Sequence, residues 1–238
     1  MIIDNKYRIE SKLTSLLNSD LFKAFDLENY EFVILEKYQN ISKNDFERII
    51  TIIKNINLHE SESGVKLTLK LIDSVECKKQ NQFYCIYQYC SIESLNETNG
   101  NIGILANNIQ KLHEINVVHG RLIPENIIIC DGIPLIMGFG LIEALKIYML
   151  TQRNLSFLPP ELISGEDCHK KSDYFSIGAI VYYLYTGKEL LTEMIIDQIK
   201  SNNSFLLNYD NLTNNNIVYN FVVNATKPEM NTRILKYE

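Results

Sequence analysis

The spacing of apolar residues changes part-way along the chain, and that change limits the fold more than any single residue does. From Tyr7 to Tyr38 the sequence runs in short strand-like pieces, clearest at Glu31-Phe32-Val33-Ile34-Leu35, parted by polar turns such as Asp26-Leu27-Glu28-Asn29. Lys66–Asp73 alternates and Gln82–Tyr89 is aromatic and branched, both signatures of strand. Between these segments Phe46, Ile49, Ile50, Ile53 and Ile56 recur at spacings of three and four, which predicts one helix over Asp45–Ile56 with Ser42 or Asn44 as its cap. After Glu93 the period becomes helical. Leu105, Ile109 and Leu112 share one face of Ile102–Ile115, and Ser176–Thr186 is apolar nearly all round, the mark of a buried central helix. The expectation is an α+β chain: a five-stranded antiparallel sheet plus one helix over residues 1–90, then a mainly helical part over 91–238.

Composition sets the outer limits. The chain has 238 residues, 46% of them hydrophobic and 22% charged, enough to bury a full core and too few for several independent modules. A formal net charge of -6 without any dense Lys/Arg run argues against a nucleic-acid backbone or an anionic membrane as partner. Apolar runs never approach the 18 or so residues of a membrane span, and Met1–Arg8 is charged within a few residues, so an intracellular, cytoplasmic or nuclear protein is expected. Cys77, Cys85, Cys90, Cys130 and Cys168 are widely spaced, with no C-x-x-C pair and no His at zinc spacing, and read as reduced thiols.

The loops between elements are more specific. His119-Gly120-Arg121-Leu122-Ile123-Pro124-Glu125-Asn126 resembles the catalytic loop of eukaryotic protein kinases, H-R-D-L-K-P-E-N. Twelve positions on, Gly138-Phe139-Gly140 stands where that family has D-F-G. Pro159-Pro160-Glu161 resembles A-P-E, and Lys171–Gly178 resembles the K-S-D-x-W-S-x-G opening of the family's central helix. Glu161 to Asp173 is 12 positions and Asp173 to Arg233 is 60, both family spacings. Leu21–Asp26 is similar to the V-Y-K-A strand, and Val33-Ile34-Leu35-Glu36 lies in the V-A-I-K register. The resemblance runs from Tyr7 to Arg233 and implies a bilobal protein-kinase-like fold of the serine/threonine type, its last helix short or missing.

The same alignment removes the chemistry. Phosphoryl transfer needs a phosphate-cradling backbone, a Lys on the phosphates, carboxylates on Mg²⁺ and a base beside the acceptor hydroxyl. The three glycine positions of the phosphate loop fall on Thr14, Leu16 and Ser19. The V-A-I-K lysine falls on Glu36, whose charge repels phosphate, and neighbouring Lys37 belongs to the opposite face of its strand. The ion-pair Glu of the first helix falls on Ile49, with Glu47 turned elsewhere. Arg121 replaces the catalytic-loop Asp and, always protonated, cannot serve as a base, while Ile123 replaces the loop Lys. Gly138 replaces the D-F-G carboxylate, leaving Asn126 as the one retained type of metal ligand, itself readable as a loop residue bonded to local backbone. Ile34 replaces the small alanine on which adenine packs, with Ile128 as the floor of that slot.

What the resemblance retains is structural. It implies that His119 and Phe139 pack in an apolar column, that Asp173 caps the catalytic loop, and that Glu161 pairs with Arg233. Gly120 stands where the family's Arg receives activation-loop phosphate, so phosphate on Thr151 or Ser156 would lack that reader. The implied function is a pseudokinase without nucleotide or metal, acting on another protein, an active kinase among the candidates. The alternatives are a weak ATP- and Mg²⁺-dependent serine/threonine kinase, or a nucleotide sensor without transfer. Either would hold adenine through the backbone of Gln88, Tyr89 and Cys90, with Tyr87 guarding the pocket.

Overall fold

Short antiparallel strands fill the first part of the chain, as the alternation predicts. The computed structural model describes residues 1–78, 81–95, 101–140, 150–212 and 216–237. Contacts divide the chain into two compact units, residues 1–95 with 125–140, and residues 96–124 with 141–238. The expected boundary at residue 90 leaves 125–140 in the second part. That hairpin instead belongs to the first unit, because its strands pair there.

The first unit holds strands β1 (Ile2–Ile3), β2 (Tyr7–Ser15), β3 (Ser19–Asp26), β4 (Glu31–Tyr38), β5 (Leu71–Cys77) and β6 (Gln82–Gln88). They form one antiparallel sheet in the order β1-β2-β3-β4-β6-β5. Six strands replace the expected five, because Ile2 and Ile3 fold back on Arg8 and Tyr7 through Asp4 and Asn5, both in the left-handed region. β5 also starts later than alternation suggests. The amides of Leu67 and Thr68 donate to the Glu60 carboxylate, and the Leu67 carbonyl accepts from Ile136 N, so this stretch is not free to join the sheet.

Helix α1 (Lys43–Ser63) exceeds its predicted span at both ends. Ser42 Oγ accepts from Asp45 N at 3.1 Å, and Gly64 closes the helix at φ 73°. Beyond Ile56 the helix continues without the apolar stripe, because Asn57 and Glu60 bond the backbone at residues 67–71. A second sheet, not foreseen from the sequence, joins β7 (Ile92–Ser94), β8 (Ile127–Cys130) and β9 (Ile133–Ile136). Asp131 and Gly132, at φ 50° and 79°, make the tight two-residue turn between β8 and β9.

In the second unit the helices are α2 (Ile102–Glu114), α3 (Gln152–Leu155), α4 (Pro160–Ser164), α5 (Lys170–Thr186), α6 (Glu193–Lys200) and α7 (Asn216–Ala225). After α7 the described chain forms only a short 3-10 turn, Met230–Thr232. α5 starts six residues before the apolar run Ser176–Thr186, because Ser172 and His169 cap its first turn reciprocally. It is buried from Ser172 to Tyr182 except at Tyr174. Among the described residues no helix is long and apolar enough to cross a membrane.

Gly178 sets how closely α5 and α7 approach. A Cβ there would lie 2.5 Å from Thr226 Cγ2 and 2.9 Å from Ala225 Cβ, closer than side chains tolerate. Gly178→Ala is therefore expected to lower stability by about 1–3 kcal/mol through overpacking, despite alanine's better helix propensity. Urea midpoints of the two proteins measure it, and an unchanged midpoint would show that α7 yields freely.

Candidate functional site

β2 turns into β3 where the sequence offers a phosphate loop without glycines. Leu16 N donates to Ser19 O at 2.8 Å, which closes a tight turn, and Leu16 itself is buried. At the tip, Leu17 N donates to Asn126 Oδ1 at 3.0 Å, across 109 positions of sequence. Asn18 is tied to Gln39 in both directions, Nδ2 donating to Gln39 O and its own carbonyl accepting from Gln39 N. Asn126 is thus not a residue that bonds only its local backbone: its side chain anchors the tip of a distant turn.

Strand register explains the surroundings of Glu36. It lies between Leu21 of β3 and Cys85 of β6, which leaves Ser19 and Tyr87 at the diagonal positions. Both reach it. Ser19 Oγ donates to Oε1 at 2.6 Å, Tyr87 OH to Oε2 at 2.6 Å, and Tyr38 OH to Oε2 at 2.8 Å. Glu36 is fully buried, and that burial pushes its carboxyl above the ordinary carboxylate range against the pull of the hydroxyl donors. Burial likewise pushes Tyr38, Tyr87 and the Cys85 thiol well up. Ile34, opposite Tyr87 and Lys23, is fully buried, as is Ile128 on β8 apart from 2%.

Around residue 88 the chain leaves the sheet. Gln88 N donates to Lys70 O, and the Tyr89 ring, 39% exposed, lies 5.9 Å from Phe32. Cys90 is bonded to Cys130, which corrects the reading of all five cysteines as reduced. The pairing of Ile92 with Cys130 brings Cys90 beside the end of β8, a proximity that sequence spacing of 40 conceals.

Gly138 and Asn126 exclude one another's alternatives. A Cβ at Gly138 would lie 2.7 Å from Asn126 Nδ2, so this Asn126 conformer requires a residue without side chain at 138, and φ 76° favours glycine too. Phe139 is buried in the same unit. At Gly140 a Cβ would meet Ile49 Cγ1 at 2.9 Å, and Arg48 Nη2 donates to Gly140 O at 3.1 Å. Ile49, where the resemblance puts an ion-pair Glu, therefore packs against this segment as an apolar contact.

The second unit places the remaining positions. Asp173, near the start of α5, accepts from His119 N at 2.9 Å and Gly120 N at 2.8 Å, and its Oδ2 lies 2.8 Å from His113 Nε2. His119 is fully buried, and its Nδ1 accepts from Arg121 N at 3.2 Å. Arg121 is buried and donates from Nη1 to Gly120 O, and Ile123 is buried as well. Glu161 and Arg233 form a two-pronged ion pair at 2.6 and 2.8 Å. Ser172 Oγ also donates to Glu161, while Arg233 donates to the carbonyls of Lys171, Lys227 and Pro228. Breaking a buried pair of this kind typically costs about 3–5 kcal/mol. Thr151 is exposed and bonded to Asn154, whereas Ser156 is buried on Glu189.

With this geometry in place, comparison with known proteins is decisive for the family. The family model described as "Protein kinase domain" matches residues 18–227. The chain belongs to the protein kinase family. It is 32% identical over 151 residues to "Probable serine/threonine-protein kinase irlC" of Dictyostelium discoideum, covering 57% of this chain and 10% of that protein. It is 27% identical over 199 residues to a "Probable cell division protein kinase" of Encephalitozoon cuniculi, covering 78% of this chain and 73% of that one. The chain thus spans only a tenth of the first relative's length. Among solved structures it is similar to "autoinhibited serine kinase domain of the giant muscle protein titin", with a TM-score of 0.68 and 17% identity, covering 97% of this chain and 77% of that one.

The donors to Glu36 and the grip of Leu17 on Asn126 escaped sequence reading. For Glu36 a signal existed: a carboxylate inside an apolar strand needs donors, and its diagonal neighbours carry hydroxyls. This network sets a pH dependence. Because burial holds the Glu36 carboxyl above its ordinary value of 4.5, the folded protein binds that proton more tightly than the unfolded chain. The resulting stability is complete below pH 4.5 and is lost as pH rises through the folded-state value. Relative to Glu36→Gln, which cannot titrate, the unaltered protein should lose stability as pH rises above 4.5, measured as the difference in urea midpoints. A difference independent of pH would mean that Glu36 keeps its ordinary affinity for protons.

Proposed function

We propose that this protein kinase family member is a pseudokinase: a domain that binds and regulates another protein, an active kinase among the candidates, without transferring phosphate. The observation that supports it most strongly is the state of Asn126. The one retained type of metal ligand spends its side-chain oxygen on Leu17 N and lies where any side chain at 138 would collide with it. A metal pair formed by an amide at 126 and a carboxylate at 138 is incompatible with that arrangement.

The other groups of the reaction do not fit Mg²⁺ and ATP either. Glu36 offers a hydroxyl-capped carboxyl in place of the ammonium that would meet phosphate. Ile34 fills the position of the small residue that adenine requires. Arg121, in the position of the base, is a buried donor. In an active kinase the groups at these positions supply positioning and charge stabilisation, which carry most of the rate in this chemistry. No catalytic step through nucleotide or metal is derived for this chain.

A melting scan with ATP, with and without Mg²⁺, tests the reading. A ligand at 100 times its dissociation constant stabilises by about 2.7 kcal/mol, so the expected result is no shift up to millimolar ATP. Mg²⁺-dependent stabilisation, or γ-phosphate transfer that disappears in Asn126→Ala, would overturn it. In Ile34→Ala the apolar slot should open at a cost of about 2–5 kcal/mol, part of which a flat ligand recovers. Calorimetry should then show adenosine binding more tightly to Ile34→Ala than to the unaltered protein, with smaller gain for ATP because Glu36 still faces the phosphates. Equal adenosine affinity for both proteins would favour a nucleotide sensor.

A further inference from the structure

The disulfide between Cys90 and Cys130 has a third group beside it. The sulfurs of Cys90 and Cys130 and a carboxylate oxygen of Asp131 all lie within 4.8 Å of one another. Both sulfurs belong to buried residues, and Asp131 is exposed, so the trio is walled by protein on one side and open to solvent on the other. The backbone around it is fixed by strand pairing. Cys130 is held by Ile92 on one side and Ile133 on the other, and Asp131 N donates to Ser91 O at 3.0 Å. Ser91 N in turn donates to Asp131 Oδ1 at 3.0 Å, which orients the carboxylate.

We propose that Cys90, Cys130 and Asp131 form a site for a thiophilic divalent cation such as Zn²⁺, closed when the two sulfurs are bonded and open when they are reduced. Two thiolates and one carboxylate are a donor set that suits Zn²⁺, with the fourth tetrahedral position left to water on the exposed side. The Cα atoms of the two cysteines are 5.8 Å apart, so both sulfurs can turn toward one ion while the paired strands hold the backbone. The hydrogen bond from Ser91 N plays the orienting part that outer groups play at protein metal sites.

Opening the site is a thiol exchange. A small dithiol transfers two electrons and two protons to the Cys90–Cys130 bond, gives two thiols, and is itself oxidised to its cyclic disulfide. Metal binding then releases the two thiol protons to water as two metal–sulfur bonds and one metal–oxygen bond form. The metal and the disulfide compete for the same sulfurs, so the cation can occupy only the reduced protein. The site uses the Cys90 side chain, whereas the adenine-holding role considered for Gln88, Tyr89 and Cys90 uses backbone, and the proposal does not rest on the pseudokinase reading.

The full chain, reduced and desalted without air, is titrated with Cd²⁺ and followed by thiolate-to-metal ultraviolet absorption. One Cd²⁺ per chain is expected for the reduced protein and none for the oxidised protein. Cys130→Ser should abolish the band, and Asp131→Asn should weaken binding by about tenfold or more. Because Cys130→Ser could fold poorly, a second measurement uses the unaltered chain. Zn²⁺ should shield Cys90 and Cys130 from alkylation, read by peptide mass spectrometry, while labelling of Cys77 is unchanged. A band that survives Cys130→Ser, affinity unchanged in Asp131→Asn, or alkylation of Cys90 and Cys130 indifferent to Zn²⁺ would each overturn the proposal.

Discussion

Asp173 is a carboxylate 1% exposed, buried inside the second unit on the first turn of its most buried helix. Left unpaired it would cost several kcal/mol, and the backbone amides of His119 and Gly120, together with the His113 ring, offset that cost. The loop at 119–121 is therefore fixed in part through its backbone amides. Asp173 holds the loop through the amides of His119 and Gly120, and Arg121 adds its own bond from Nη1 to Gly120 O. Glu161 does the same for the end of the unit, gathering Ser172 and Arg233 into one network that reaches the carbonyls of Lys227 and Pro228.

The first unit solves a different problem. Among the described residues, the Glu36 carboxyl in the centre of a sheet takes hydroxyl donors from Ser19, Tyr38 and Tyr87 and no cation. Burial then favours the protonated form, and strands β3, β4 and β6 are joined by side chains as well as by their ladders. The turn at Leu16–Ser19 closes on Asn126 in the same unit. Glu36 and Asn126 are thereby each hydrogen-bonded within the first unit.

Much of this was legible in the sequence, and the exceptions have physical causes. The change of apolar period located sheet and helices, and motif spacing singled out Glu161, Asp173 and Arg233, which the structure joins into polar networks. β1 was invisible because two residues carry no period, and β7 because pairing with a distant strand leaves no local trace. The extra turns of α1 depend on Asn57 and Glu60 bonding backbone far outside the helix. The Cys90–Cys130 bond and the hold of Leu17 on Asn126 join residues 40 and 109 positions apart, and no spacing rule reaches across such gaps.

The close approach of Gly138 to Asn126 also couples the two positions. An aspartate placed at 138 would strike the Asn126 side chain unless that amide first released Leu17 and turned away. Releasing it would in turn loosen the turn at Leu16–Ser19, whose hydroxyl also serves Glu36. Positions 17, 126 and 138 thus form one steric and hydrogen-bonded unit, and substitutions within it are expected to act non-additively: the cost of a side chain at 138 depends on what stands at 126.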